Sequence, residues 1–305
     1  MCTPSLRRLS SLFLIFMLCS FICLTEKVIA DSITNFPKNA RIISIGGALT
    51  ETIYALGAQK QLIARDSTST YPKEALALPE LGYMRALSPE GLLSLDPEGI
   101  LLVEGSGPPS TIDILKKTSI PILIVSDNFS RESIIEKIHL VGKALHRETQ
   151  AAALIEKINH QFMENDAFLA KVTKPKRVLF IFSIQNGHAM VSGTHTAADA
   201  MIKLSGAINA VSNYRGYKLL NNEELLKSNP DFILLTSHTE NLIKIDKILS
   251  MPAIKATPAA QNHAIKQIDT MYFLGFGPRT ANASKELIDM LYSTDKPAKS
   301  DKNDK

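Results

Sequence analysis

The chain has 305 residues, of which 45% are apolar and none is tryptophan. This length and composition predict a globular protein with room for two domains of ordinary size. The formal net charge of +4 is spread along the chain, so we exclude a nucleic-acid-binding face of the usual strongly basic kind.

The N-terminus has the pattern of a secretory signal peptide. Arg7 and Arg8 precede an apolar run over residues 12–24, and Ala30 supplies the small residue at the cleavage position. The run is short for a membrane span, and an uncleaved anchor is the alternative. We expect residues 1–30 to be removed and the mature chain to be a periplasmic monomer of the Gram-negative type, not embedded in the membrane. All three cysteines lie in this segment, so the mature chain would have no thiolate metal site and no disulfide.

Strands alternate with helices from residue 37 to residue 130, which predicts an N-terminal α/β lobe with a parallel sheet covered on both faces. The predicted strands are 41–45, 61–64, 99–103 and 121–125. The predicted helices are 50–56, a helix that begins after Ser88, and 112–117.

Residues 131–174 have no strand pattern. The helical spacing of their apolar residues predicts one helix that ends near His146 and a second, connecting helix over about 148–171. The alternation then resumes, and residues 175–294 are predicted to form a C-terminal α/β lobe. The charged end, 295–305, contains no apolar run and is predicted to be disordered. The fold class is therefore α/β, with two similar lobes that each contain a mainly parallel sheet flanked by helices, joined by a long rigid helix.

An internal repeat supports two similar lobes. Residues 90–102 and 223–235 both read glutamate, one residue, Leu-Leu, three residues, proline, an acidic residue, one residue and Ile-Leu-Leu. Glu90 and Glu223 occupy the same place in the first turn of a predicted helix, where the helix N-terminus favours a carboxylate. Two interpretations are open: the glutamates stabilise their helices, or they make a two-point contact with a basic partner.

Tyr83 and Arg85 lie on a loop directly before a helix that Ser88 caps and Pro89 begins. Loops in this position often display binding side chains. A tyrosine with an arginine two residues later can hold an anion or, as a phenolate, an Fe(III) ion.

Five stretches, taken together, have the character of one protein family. They are Ser44–Gly57, Leu81–Ser88, Gly193 with Thr196–Asp199, Gly216–Lys218 and Leu274–Thr280. The chain resembles the haem-binding periplasmic proteins of bacterial ABC haem importers, which belong to a helix-linked class of substrate-binding proteins that also serves cobalamin and siderophores. The resemblance covers nearly all of the mature chain, and the stretch around Tyr83 is its haem-specific part. It implies that haem lies in the cleft between two lobes.

The resemblance also implies roles for individual residues. Tyr83 would be the axial ligand of ferric haem b, which is the transported ligand and serves iron acquisition. A free tyrosine ionises only at about pH 10, and the nearby Arg85 is expected to favour the anionic ligand. Glu90 and Glu223 would dock to arginines of the membrane permease, which works with an ATPase subunit.

Further residues are candidates for the cleft. Arg279 is expected to start the last long helix and to contact a haem propionate or form part of the cleft wall, with a structural surface arginine as the alternative. Tyr217 and Lys218 are additional candidates. His195 or His188, on the loop after the first strand of the second lobe, could approach a second face of the iron or a second haem. The alternative is a solvated loop histidine, and His195 stands where the family has a different residue.

Three other functions fit the sequence less well than haem binding. An exported zinc or manganese protein would need clustered histidines and carboxylates, but the seven histidines are scattered. A siderophore- or cobalamin-binding protein of the same fold is the closer alternative, and the Tyr83-Met84-Arg85 stretch disfavours it. An enzyme is not expected, because the sequence contains no G-x-G-x-x-G after a strand, no P-loop and no G-x-S-x-G.

Overall fold

The computed structural model describes residues 35–237 and 244–292, all within one compact unit. The predicted signal peptide, 1–30, and the predicted disordered tail, 295–305, lie outside the described residues. Within the described ranges, no helix combines the length and the apolar character needed to cross a membrane.

The first lobe contains a parallel sheet, as the sequence predicts, and its four strands lie in the order β2-β1-β3-β4. Its strands are β1 (Ile42–Ile45), β2 (Leu62–Arg65), β3 (Gly99–Val103) and β4 (Ile122–Val125). Its helices are α1 (Gly47–Ala55), α2 (Pro89–Leu93) and α3 (Pro109–Leu115). The two central strands, β1 and β3, are buried along their whole length, because helices cover both faces of a parallel sheet.

Two consecutive helices leave the first lobe. The helix α4 (Arg131–Ala144) begins after Ser130, whose side chain accepts a hydrogen bond from the backbone N–H of Ser133. The helix α5 (Glu148–Leu169) occupies the position of the predicted connecting helix and packs against α4. It buries only a narrow stripe, which includes Ile158 and Phe162, so most of its surface faces solvent.

The second lobe contains a mixed sheet with the strand order β10-β9-β5-β6-β8 and a short strand β7 beside β5. The strands are β5 (Arg177–Gln185), β6 (His188–Ser192), β7 (Ile208–Asn209), β8 (Tyr217–Leu220), β9 (Phe232–Ser237) and β10 (Ile265–Asp269). The helices are α6 (Ala197–Leu204), α7 (Asn222–Ser228), α8 (Ile245–Leu249), α9 (Pro252–Lys255), α10 (Pro258–Gln261), α11 (Thr270–Leu274) and α12 (Thr280–Tyr292). The strands β5, β9 and β10 are parallel, whereas β6 and β8 add an antiparallel meander that the first lobe lacks.

The internal repeat folds into two equivalent helix–strand units. The side chains of Ser88 and Asn221 each accept a hydrogen bond from a backbone N–H three residues later and so cap α2 and α7. Glu90 and Glu223 are each the second residue of their helix, and both are exposed. The strands that follow, β3 and β9, lie in the interior of their sheets.

One cluster of buried apolar residues joins the two lobes through the connecting helices. It includes Leu49 of α1, Ile138 of α4, Phe162 of α5, Met201 of α6 and Leu287 of α12. Moving the lobes apart would expose part of this shared core to water, which is unfavourable.

Candidate functional site

A cleft of about 650 Å³ lies between the two lobes. Its first-lobe wall includes Gly46, Val103 and Asp127, which are at or just beyond the carboxyl ends of β1, β3 and β4. Ligands of open α/β proteins bind at this edge of the sheet, and the volume lies within the range of small-molecule sites.

Tyr83 and Arg85 both line the cleft. The Nη1 of Arg85 donates a hydrogen bond of 3.3 Å to the hydroxyl of Tyr83, and the Tyr83 residue is 45% exposed. The arrangement therefore presents an exposed tyrosine in the cleft with a guanidinium beside its phenol oxygen.

Backbone hydrogen bonds hold this loop in place. The Gly107 N–H donates to the Met84 carbonyl, and the Leu87 N–H donates to the Gly107 carbonyl, each at 2.9 Å. Gly82 has a φ of 83°, a conformation that a side chain would disfavour. The loop is thus anchored to the turn after β3, and Tyr83 sits on a fixed backbone.

Arg279 lies at the floor of the cleft, directly before α12. Its backbone N–H donates to Glu51 Oε1 and its Nε donates to Glu51 Oε2, both at 2.9 Å. Its guanidinium carbon lies 3.4 Å from the ring centroid of Tyr71 and 4.8 Å from that of Tyr272. Arg279 therefore forms part of the cleft wall, and its guanidinium is already paired with a carboxylate.

Burial shifts the pKa values of two groups next to Arg279, Glu51 and Lys137. Burial raises the pKa of Glu51, and the charge and hydrogen bonds of Arg279 oppose this rise. The neighbouring Lys137 is buried, and its Nζ donates hydrogen bonds of 3.2 Å to Asp127 Oδ1 and to the Phe276 carbonyl. Burial lowers the pKa of Lys137, and Asp127 opposes that change. The floor of the cleft therefore contains two ion pairs, Glu51 with Arg279 and Asp127 with Lys137.

The second-lobe wall is largely apolar. The rings of Phe182 and Tyr217 lie 5.3 Å apart, and Met190 lines the cleft beside them. Desolvation of the Tyr217 hydroxyl raises its pKa, and hydrogen bonds with Thr196 and Ser192 reduce that effect, whereas the residue as a whole is 42% exposed. Tyr217 thus lies in the cleft as a neutral phenol on an apolar wall.

The remaining predicted residues divide into two groups. His195 lines the cleft and has a φ of 59°, with its backbone N–H donating to Asp199 Oδ2. Lys218 and His188 are not among the cleft residues. The Nζ of Lys218 lies 3.0 Å from Glu224 Oε1, and His188 begins β6 on the β5–β6 hairpin. His195 therefore lies at the site. The positions of Lys218 and His188 do not support a ligand-binding role for either residue.

Glu51, Tyr71 and Tyr272 also line the cleft, and no local sequence pattern indicates this. Glu51 lies inside a stretch that carried the family resemblance, but 228 positions separate it from Arg279, so no local spacing indicates the contact. In the part of the chain that the structure describes, no group of three or more histidine or acidic side chains is arranged to hold a metal ion.

Comparison with known sequences reveals a family match. Residues 42–272 match the model of a family described as periplasmic binding protein. An uncharacterized ABC transporter substrate-binding lipoprotein, YvrC of Bacillus subtilis strain 168, is 25% identical over 255 residues, covering 83% of this chain and 80% of YvrC. A vitamin B12-binding protein of Yersinia pestis strain Pestoides F is 24% identical over 274 residues, which cover 88% of this chain and 93% of the vitamin B12-binding protein.

Solved structures of heme-binding proteins share the fold. The periplasmic heme-binding protein BhuT in complex with two hemes superposes with a TM-score of 0.79 at 37% identity, covering 83% of this chain and 98% of BhuT. The periplasmic heme-binding protein RhuT from Roseiflexus sp. RS-1, in its apo form, superposes with a TM-score of 0.78 at 33% identity, with the same coverage of both chains.

Proposed function

Because the chain belongs to the periplasmic binding protein family, we propose that it captures ferric haem in the interlobe cleft and delivers it to an ABC importer for haem and iron uptake. One observation carries the proposal: Tyr83 lines the cleft as a 45% exposed residue, with the Arg85 guanidinium 3.3 Å from its hydroxyl. Haem is the transported ligand of this site.

The chemistry of this pair suits ferric iron. Tyrosine is an established axial ligand of haem iron, and Fe(III) favours the ionised phenolate. A guanidinium beside the oxygen stabilises that negative charge and can donate a hydrogen bond to it. Tyr83 would bind the iron, and Arg85 would stabilise the bound phenolate.

The walls of the cleft suit a flat, apolar macrocycle. Exposed aromatic rings of Tyr71 in the first lobe and of Phe182 and Tyr217 in the second lobe line it, and Met190 adds an adaptable apolar surface. Two structurally similar proteins, BhuT and RhuT, are heme-binding proteins. A role for His195 at a second face of the iron or at a second haem stays a prediction, as does a propionate contact by Arg279.

Delivery would use the two repeat glutamates. Glu90 and Glu223 are exposed at the same position of equivalent helices, one in each lobe. Hydrogen bonds from its own backbone N–H and from the Ser88 hydroxyl lower the pKa of Glu90, so it is charged at neutral pH. We infer a two-point contact with cationic side chains of the permease, the ATPase acting from the other side of the membrane.

A cobalamin or siderophore ligand is the second candidate. It is favoured by the vitamin B12-binding relative, which matches over 88% of this chain. The two candidates predict different roles for Tyr83, since neither cobalamin nor a siderophore needs a tyrosine oxygen on a haem iron.

The deciding experiment is a titration of the chain from residue 31 with ferric haem, followed by visible absorbance. Wild type, Tyr83→Phe and Tyr54→Phe are compared, because Tyr54 lies on α1 outside the cleft lining. We expect a saturable ferric spectrum in wild type and Tyr54→Phe, with altered ligand bands and weaker binding in Tyr83→Phe. Parallel titrations use cyanocobalamin and a ferric siderophore. Saturable binding of either, with none of haem, would overturn the proposal.

A further inference from the structure

The residues that lead into α12 and begin it are hydrogen-bonded to the first lobe and to the connecting helices. Glu51 of α1 accepts two hydrogen bonds from Arg279, and Lys137 of α4 donates to the Phe276 carbonyl at 3.2 Å. Asn165 of α5 donates to the Ala281 carbonyl at 2.9 Å. Three elements from outside the second lobe therefore hold residues Phe276, Arg279 and Ala281 of its chain.

Aromatic rings from both lobes enclose the same arginine. The guanidinium of Arg279 lies over the ring of Tyr71, which belongs to the first lobe, and near the ring of Tyr272, which belongs to the second. A cation between two ring faces is attracted to both, and more strongly where water is excluded. Tyr71, Arg279 and Tyr272 therefore form a stack that crosses the cleft floor.

Opening the cleft would separate charges that are poorly solvated. The side chains of Glu51 and Arg279 are only 11% and 25% exposed. Separating the lobes would break the ion pair and both Arg279–Glu51 hydrogen bonds, and hydrogen bonds between charged groups are stronger than those between neutral groups. The contact therefore resists a change in the distance between the lobes.

We propose that Glu51 and Arg279 form an interlobe clamp that keeps the cleft at one width before any ligand binds. Tyr71 completes the clamp by covering the guanidinium. Glu51 is then a positioning residue, since it acts on the ligand only through Arg279 and the geometry of the cleft. The effect on ligand affinity rests on the proposed haem function, but the clamp itself does not.

The interlobe distance can be measured without a ligand. The sequence from residue 31 onward contains no cysteine, so Ser94→Cys and Lys255→Cys place one spin label on an exposed site of each lobe. Pulsed EPR then gives the distance distribution. We expect one narrow distribution in the labelled background and a broader or longer one in Glu51→Gln. Glu164→Gln, an exposed change on α5, should match the background. A Glu51→Gln distribution identical to the background would overturn the clamp.

A second pair of variants keeps the test decisive if Glu51→Gln does not fold, as judged by circular dichroism. Tyr71 is 43% exposed, so its replacement is tolerable for folding. Tyr71→Leu removes the ring over Arg279 and should broaden the distribution, whereas Tyr71→Phe retains the ring and should not. Equal distributions in the Leu and Phe variants would contradict the clamp.

Haem binding provides a separate measurement. With the clamp broken by Glu51→Gln, we expect ferric haem affinity to fall about tenfold, or about 1.4 kcal/mol, while the visible spectrum of the bound form stays unchanged. An altered spectrum would contradict a positioning role. Absence of haem binding in wild type would refute the proposed ligand and leave the EPR result to decide the clamp.

Discussion

The hydroxyl oxygen of Tyr83 lies 3.3 Å from Nη1 of Arg85, and both side chains line the interlobe cleft. The two residues are separated by one position on a loop that is bonded to the turn after β3. Their contact is therefore local in sequence and firmly supported in space. It is the feature of the cleft that most directly suits a ferric ligand.

Arg85 is expected to contribute to haem affinity through Tyr83. Arg85→Gln removes the cation beside the bound phenolate, and a hydrogen bond to a charged group is worth about 1.5–3 kcal/mol. Ferric haem affinity should fall by about one order of magnitude or more, whereas Arg85→Lys, which keeps the charge, should lose less. Haem titration by absorbance measures both. Equal affinity in wild type and Arg85→Gln would show that the guanidinium does not act on the ligand.

Glu90 and Glu223 are expected to act in transport and not in ligand binding. Replacing both by lysine should abolish the stimulation of the importer's ATPase in proteoliposomes, because like charges would then face the permease. Haem affinity should be unchanged. Glu132→Lys is the matched control, since Glu132 is also an exposed second residue of a capped helix. Full stimulation by the Glu90/Glu223 double variant would reduce these glutamates to helix-start stabilisers.

Asp199 is expected to make stability depend on pH. Burial alone would raise its pKa, but hydrogen bonds from Lys203, Asn209 and the His195 N–H bring it below the ordinary value of 3.8. A lowered pKa means that the stabilisation is present above 3.8 and is lost as the pH falls through the folded-state value. Asp199→Asn should cost about 1–3 kcal/mol at neutral pH.

Urea unfolding between pH 3 and pH 7 measures this dependence. The difference between wild type and Asp199→Asn should be constant near neutrality and shrink below pH 3.8. Asp113→Asn, at an exposed position of α3, should change little at any pH. A difference that grows as the pH falls would contradict the assigned direction of the pKa.

Gly193 is expected to be required for packing beside the cleft. A Cβ at this position would lie 2.5 Å from the Tyr214 carbonyl oxygen and 2.6 Å from its ring. Gly193→Ala should therefore destabilise the fold by about 1–3 kcal/mol, as overpacking does. Gly91→Ala is the control, because its nearest neighbours are 3.7 Å away in a helix, where alanine is favoured over glycine. Thermal unfolding of both variants tests the contrast, and equal melting temperatures would refute the steric argument.

The sequence by itself determined the features that depend on local order. The parallel first-lobe sheet, the connecting helix and the paired helix–strand units follow from hydrophobic periodicity, caps and the repeat, which act over a few residues. Tyr83 and Arg85 could be paired from sequence for the same reason. The strands β6 and β8 were missed. In the edge strand β8, Tyr217, Lys218 and Leu219 are all exposed and provide no alternating pattern of burial.

Only the tertiary structure decided how the floor of the cleft is built. Glu51 and Arg279 lie 228 positions apart, and neither spacing nor composition relates them. Folding brings them together because one apolar core packs α1, the connecting helices and α12 side by side. This packing shields Glu51 and Arg279 from water, and the two side chains then form one contact between the lobes. Such contacts depend on the packing of whole elements, which no local pattern encodes.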